Sequence, residues 1–195
     1  MSTASDFSII DERVLALDLN GSPTRWISFE EAITYQAKEM VGWSIGDIIA
    51  IFKGGYNRLT GTRSELSTKS IIAIKGTDYN QERFYPKLTN SSLFARDKGV
   101  CAYCVKKFKY KDLSCDHVKP VHLDGKTIWT NVVTSCKRCN TQKGGRTLEN
   151  SGFVLNYYPY TPNKYEHLIL LNRKILDDQM NYLISKVPKH SRLRC

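Results

Sequence analysis

The stretch 115–147, CDHVKPVHLDGKTIWTNVVTSCKRCNTQKGGRT, decides how this chain is read. It sets Asp116 beside His117, then Asn131, then Cys136 and Cys139 with Asn140 directly behind them. A second pair, Cys101 and Cys104, lies upstream in CAYC, with 31 residues between Cys104 and Cys136. Two CxxC units are the usual way to present four thiolates to a tetrahedral zinc ion. A redox dithiol, by contrast, normally occurs once, at the start of a helix. Cys101, Cys104, Cys136 and Cys139 are therefore expected to hold a structural Zn²⁺. Such a site contributes to folding directly, because the unfolded chain has no preformed site.

Between the knuckles lies a set of groups suited to phosphodiester hydrolysis. Asp116 and His117 fall in a β-like run, 113–118. Asn131 follows His117 by 14 residues and Asn140 by 23. A neutral histidine can take a proton from water near pH 7. A hard cation such as Mg²⁺ or Mn²⁺ wants oxygen ligands, a few from protein and the rest from phosphate and water. Asp116 offers a charged oxygen and Asn140 an amide oxygen. Lys143, at i+3 from Asn140 on one helix face, and Arg146 are placed to hold phosphate charge. Neighbouring strand residues face opposite sides, so Asp116 and His117 reach one pocket only from a strand end, and Pro120 makes an early end plausible.

Charge points the same way. The net charge is +10 over 195 residues, and it is uneven. Residues 1–80 carry 8 basic and 10 acidic side chains, whereas residues 81–195 carry 21 and 9. A one-sided basic excess suits a polyanion, most often nucleic acid. Lys137, Arg138 and His122 join Lys143 and Arg146 as candidate contacts. No run of about 18 apolar residues occurs, so no membrane span is expected. MSTASDFSIIDERV lacks the basic and apolar regions of a signal peptide, which makes a cytoplasmic protein the expectation.

The chain is expected to be α+β and to divide at 1–80, 81–150 and 151–195. In the first segment, 13–19 reads as a strand before an Asn20-Gly21 turn. Ser28 and Glu31 suit a capping box for a helix that Gly42 can close. Two short strands follow, at 47–52 and 70–75, and Trp26 and Trp43 read as core. A linker is expected over roughly 76–90, then a short helix capped by Thr89 or Asn90 and ended by Gly99. After an aromatic loop, the apolar spacing from Thr161-Pro162 to about Lys186 predicts an amphipathic helix of about six turns. The basic tail PKHSRLRC is expected to be loose.

Together, FARDKGVCAYC, CDHVKP and TNVVTSCKRCNTQKGGRT make residues 93–147 resemble the HNH endonuclease family in its zinc-stapled, four-cysteine form. The resemblance implies a ββα-metal finger, in which two strands and a helix hold one catalytic cation. It implies a metal-dependent DNA endonuclease, with His117 as general base and Asp116 and Asn140 as cation ligands. Asn131 would fix the histidine-bearing loop. The last motif residue is asparagine, a common variant. Cys115 replaces an expected β-branched residue and reads as a small buried filler. An N-terminal α+β unit before such a finger also resembles many stand-alone bacterial and phage HNH proteins. The rival reading is a zinc-stapled nucleic-acid-binding module without catalysis, or a nuclease subunit of a larger complex. Whether the chain acts as a homodimer or with a protein partner is open at this level.

Overall fold

The computed structural model describes residues 13–76, 86–171, 174–189 and 191–194. In chain order the elements are β1 (Val14–Leu17), β2 (Pro23–Ile27), α1 (Phe29–Ala37), β3 (Val41–Tyr56) and β4 (Arg63–Ile74). There follow α2 (Asn90–Arg96), β5 (Leu113–His117), β6 (Val132–Cys136), α3 (Lys137–Lys143), α4 (Leu148–Ser151), α5 (Lys164–Leu171) and α6 (Asp177–Lys186). They form two compact units: residues 1–82 with 172–186, and residues 83–171 with 187–195. The expected linker at 76–90 falls largely outside the described residues. Among the described residues, no helix is long and apolar enough to cross a membrane.

The first unit is a four-stranded sheet in the order β2-β1-β4-β3. β1 runs antiparallel to β2 and parallel to β4, with Leu15 opposite Ile71 and Ala16 opposite Ile72. All four residues of β1 are buried, which is why VLAL reads as a continuous apolar run. Val14, Ala16, Ile27, Ile72 and Ile74 form a core with Ala32 of α1. Ser28 caps α1, accepting from the Glu31 amide. The helix ends earlier than Gly42 suggested: Lys38 is its C-cap, Glu39 takes a left-handed φ of 56°, and Gly42 lies in β3.

Other elements also differ from the sequence expectation. β2 is an additional strand. β3 and β4 are far longer than two short strands, and pair out to Tyr56 opposite Arg63. Their distal half is a two-stranded ribbon with Ile48, Ile51, Phe52 and Tyr56 exposed, so no burial imposes a polar–apolar alternation there. The expected six-turn helix is two helices, α5 and α6, with residues 174–176 non-helical. Asp177 and Asp178 open α6, where acidic side chains favour a helix start. Gln179 turns inward instead of continuing a surface stripe, donating to the carbonyls of Arg13 (2.7 Å) and Ser70 (2.9 Å).

The second unit carries the finger. Thr89 and Ser92 form a reciprocal cap at the start of α2, and Gly99 ends the turn after it with φ 68°. Arg96 and Asp97 are fully buried and paired through two bonds of 2.8 and 3.0 Å. Arg96 also donates to the carbonyls of Trp129, Val132 and Tyr160, each at 2.9 Å. Asp97 accepts from the Thr134 amide at 2.9 Å. A buried charge pair is tolerable only when its remaining hydrogen-bonding capacity is met, as it is here. This network explains the RD of FARDKG: it fastens α2 to β6. Leu93, Phe94, Leu113, Trp129 and Val132 pack around it. Among the described residues of the tail, Ser191 donates to buried Glu166 and Arg192 stacks 3.6 Å from the centre of the Tyr157 ring, so both are docked rather than loose.

Candidate active site

β5 and β6 pair antiparallel, with Asp116 opposite Val133 and His117 opposite Val132. β6 passes without a break into α3, so the finger is a ββα unit. His117 is the last residue of β5, and this strand end resolves the facing problem. Asp116 points into the protein at 5% exposure, while His117 is half-buried. Both line one cleft of about 480 Å³, together with Cys115, His122, Asn140, Lys143 and the Gly144-Gly145 pair.

The loop between β5 and β6 is tied down at Asn131. Its Oδ1 accepts from the Lys119 amide (2.9 Å), and its Nδ2 donates to the carbonyls of Lys119 (3.1 Å) and Lys126 (2.9 Å). Val118 N donates to the Asn131 carbonyl at 2.9 Å. Gly125 is needed in this loop because a Cβ would overlap the Lys119 carbonyl. His117 Nε2 lies 2.9 Å from Thr127 Oγ1. Thr127 thus contacts the histidine, although no motif in the sequence singles it out.

Asn140 sits in the first turn of α3, as its position behind Cys139 suggests. Its Nδ2 donates to Ser114 Oγ (2.9 Å) and to the Cys115 carbonyl (3.4 Å). Because carbonyls take only the amide nitrogen, these bonds fix the side chain with its oxygen as the end left for a ligand. The Asp116 carboxylate has two donors: Lys143 Nζ at 3.1 Å on Oδ1, and the Tyr103 hydroxyl on Oδ2. Burial and then the bond to Asp116 push the Tyr103 hydroxyl far above its ordinary range, so it stays a donor. An anionic oxygen and an oriented amide oxygen on one cleft fit a hard divalent cation that keeps most of its water.

Several candidate contacts sit differently from expectation. Lys143 is 1% exposed, and its ammonium also donates to the His117 carbonyl at 2.8 Å. It faces Asp116, so it is no surface cation for DNA phosphate, a correction to the sequence reading. The apolar spacing gave no sign of this, because a lysine stem can be buried without hydrophobic periodicity. Arg146 is exposed, but its guanidinium closes the end of α3 by donating to the carbonyls of Lys143 (3.1 Å) and Gln142 (2.6 Å). Lys137, Arg138 and His122 are exposed. Cys115 is half-buried, and burial with the neighbouring Asp116 charge pushes its thiol up to about 11, so it is a poor nucleophile at neutral pH.

The sulfur atoms of Cys101, Cys104, Cys136 and Cys139 all lie within 4.8 Å of one another. Cys136 caps α3, its sulfur accepting from the Cys139 amide at 3.4 Å. Cys101, Cys136 and Cys139 are buried, with Tyr103, Phe108 and Phe153 packed around the cluster. Four converging thiols with no oxygen donor among them fit a soft-tolerant ion such as zinc. The cluster can hold a structural metal.

A family model and a solved structure are similar to parts of this chain. No curated protein matches the chain. Among solved structures, the chain is similar to the crystal structure of the Type II-C Cas9 enzyme from Actinomyces naeslundii, at 17% identity and a TM-score of 0.28. That match covers 56% of this chain and 12% of the other, so the chain spans a small part of that enzyme's length. A family model described as HNH endonuclease matches residues 101–155, from the first cysteine knuckle through α4. Residues 101–155, which hold both cysteine knuckles and the ββα unit, are therefore similar to the HNH endonuclease family.

Proposed function

We propose that this chain is a metal-dependent DNA endonuclease, with His117 as general base and one divalent cation held by Asp116 and Asn140. The observation that carries this reading is the single cleft lined by Asp116, His117 and Asn140. A binding module has no use for that set. With Nε2 against Thr127 Oγ1, the imidazole has Nδ1 left to take a proton from water. The water oxygen attacks phosphorus as this proton leaves, and the bond to the leaving oxygen of the strand breaks. A bound Mg²⁺ or Mn²⁺ would polarise the phosphate and stabilise the leaving oxygen. Asn131 holds the histidine-bearing loop through its three side-chain bonds, so the imidazole is aimed before substrate arrives.

DNA is the proposed substrate on the strength of the basic excess in residues 81–195. Zn²⁺ is the proposed occupant of the four-cysteine site. The test is incubation of purified protein with supercoiled plasmid and Mg²⁺, Mn²⁺ or EDTA, comparing wild type with His117→Ala. Cleavage should need the cation, and the variant should lose roughly 10²–10⁴-fold in rate while keeping DNA affinity. Undiminished cutting by His117→Ala would refute the assignment. Tight binding with no cutting under any metal would favour the non-catalytic module.

A further inference from the structure

Tyr103 stands inside the first knuckle, between Cys101 and Cys104. Its ring packs edge-on against Phe153, with centroids 4.9 Å apart, and its hydroxyl reaches Oδ2 of Asp116. We propose that Tyr103 is a positioning residue that aligns the Asp116 carboxylate for the catalytic cation, which couples the four-cysteine knuckle to the active site. This rests on the reading of Asp116 as a cation ligand.

The physical argument starts from the carboxylate. Its backbone is fixed by strand pairing opposite Val133. Rotation about the last side-chain bond of an aspartate is broad, so the backbone alone does not aim its oxygens. Two groups do so here, and they differ in kind. Lys143 brings a positive charge to Oδ1, which works against a second cation at the same atom. Tyr103 brings a neutral donor to Oδ2, which fixes the plane and leaves the negative charge intact. The residue before the tyrosine is held through both of its backbone groups. Ala102 N donates to the Thr134 carbonyl (2.8 Å), and the Ala102 carbonyl accepts from Asn156 N (2.9 Å). The position of the hydroxyl is thus set by the fold of the knuckle.

A packing role alone would ask only for the ring, which also walls the cleft over the cysteine cluster. Tyr103→Phe keeps the ring and removes the one bond at issue. Outer-shell partners of metal ligands typically contribute 10–100-fold in metal affinity or activity. The experiment compares zinc-loaded wild type, Tyr103→Phe and Asp116→Ala. The readouts are zinc content, melting temperature, calorimetric Mn²⁺ titration and the Mn²⁺ dependence of plasmid nicking. Tyr103→Phe should retain its zinc and bind Mn²⁺ about 10–100-fold more weakly, with nicking partly recovered at high Mn²⁺. If Asp116→Ala loses Mn²⁺ binding while Tyr103→Phe binds it like wild type, the positioning role is wrong. Loss of zinc from Tyr103→Phe would also overturn it, by making the hydroxyl part of the knuckle's own stability. If Asp116→Ala binds Mn²⁺ like wild type, the error lies in the reading of Asp116, and the inference falls with it.

Discussion

Lys143 and Asp116 form an ion pair at 3.1 Å whose side chains are 1% and 6% exposed. The lysine comes from the last turn of α3 and the aspartate from β5, so the pair closes the ββα unit from inside. Desolvating both charges is costly, and the geometry offsets it only because each partner has a second bond: Lys143 to the His117 carbonyl, Asp116 to Tyr103. The same lysine therefore touches the backbone of one candidate catalytic residue and the side chain of the other.

Removing one partner of such a pair strands the other. Lys143→Met is expected to destabilise the second unit by about 3–5 kcal/mol, because the Asp116 carboxylate stays buried without its countercharge. A divalent cation at Asp116 would restore part of that charge balance. Added Mg²⁺ or Mn²⁺ should then raise the melting temperature of Lys143→Met more than that of wild type, in proportion to preferential binding to the folded state. Thermal melts with and without the cation measure both effects. A variant as stable as wild type would mean the pair contributes nothing net.

Asn131→Ala should separate loop geometry from fold. Three bonds of 2.9–3.1 Å would be removed from the β5–β6 loop, while the strand register opposite Val132 and Val133 would remain. Each net hydrogen bond is worth about 0.5–1.5 kcal/mol, so a modest drop in melting temperature is expected. Cleavage should fall by more than stability predicts, because a misaimed base of about 1 Å can lose about 10²-fold. Parallel plasmid-nicking and melting measurements decide it. A rate that follows stability alone would reduce Asn131 to a structural residue.

How much of this was legible in the sequence depends on what kind of constraint each residue answers. The convergence of the four cysteines was legible because metal-ligand chemistry restricts both residue type and separation, and the motif spacing foretold that Asp116, His117 and Asn140 line one cleft. The short helix α2 was legible through its Thr89 cap and Gly99 stop. The inward turn of Lys143 was not, because a buried lysine is specified by a partner 27 residues away and leaves no periodic trace. Thr127 and Tyr103 were missed for a related reason: each matters through one hydroxyl whose partner lies in another element. The length of β3 and β4 was hidden because their exposed ribbon bears no polar–apolar alternation, and the break before α6 because apolar spacing happens to continue across it.

Cys136→Ser tests the staple. Cys136 is both a candidate metal ligand and the cap of α3, so its loss removes a thiolate and the N–H···S bond from Cys139 together. Four-cysteine zinc sites supply folding free energy outright, and a segment this short holds little core of its own. The expected outcome is loss of bound zinc and loss of amide protection across 101–155, followed by hydrogen exchange. Protection of β1 and β4 should persist, since that sheet has its own apolar core. A zinc-free wild-type protein with full protection of α3 would contradict the staple.

DNA contact is expected at Lys137 and Arg138 rather than at Lys143. Both are exposed, and both lie on the first turn of α3, between two cysteines of the cluster. That turn is rigid when the cysteines are held, so the two side chains present charge from a fixed base. They also border the cleft of about 720 Å³ walled by Tyr103, Phe108 and Phe153, with Lys106 on the same rim. Phosphate contacts release condensed counterions, and each contributes about −0.9 to the log–log salt slope on duplex DNA. Replacing both with alanine should flatten that slope by about 0.9 for each phosphate no longer neutralised. Because phosphate carries no sequence information, affinity should fall equally on unrelated duplexes. Arg146→Ala should change the slope less, since its guanidinium is already bound to two carbonyls of α3. Filter binding of the wild type, the double variant and Arg146→Ala on two duplexes, from low to moderate salt, measures all three. An unchanged slope in the double variant, or a weakening confined to one duplex, would move the interface away from this turn.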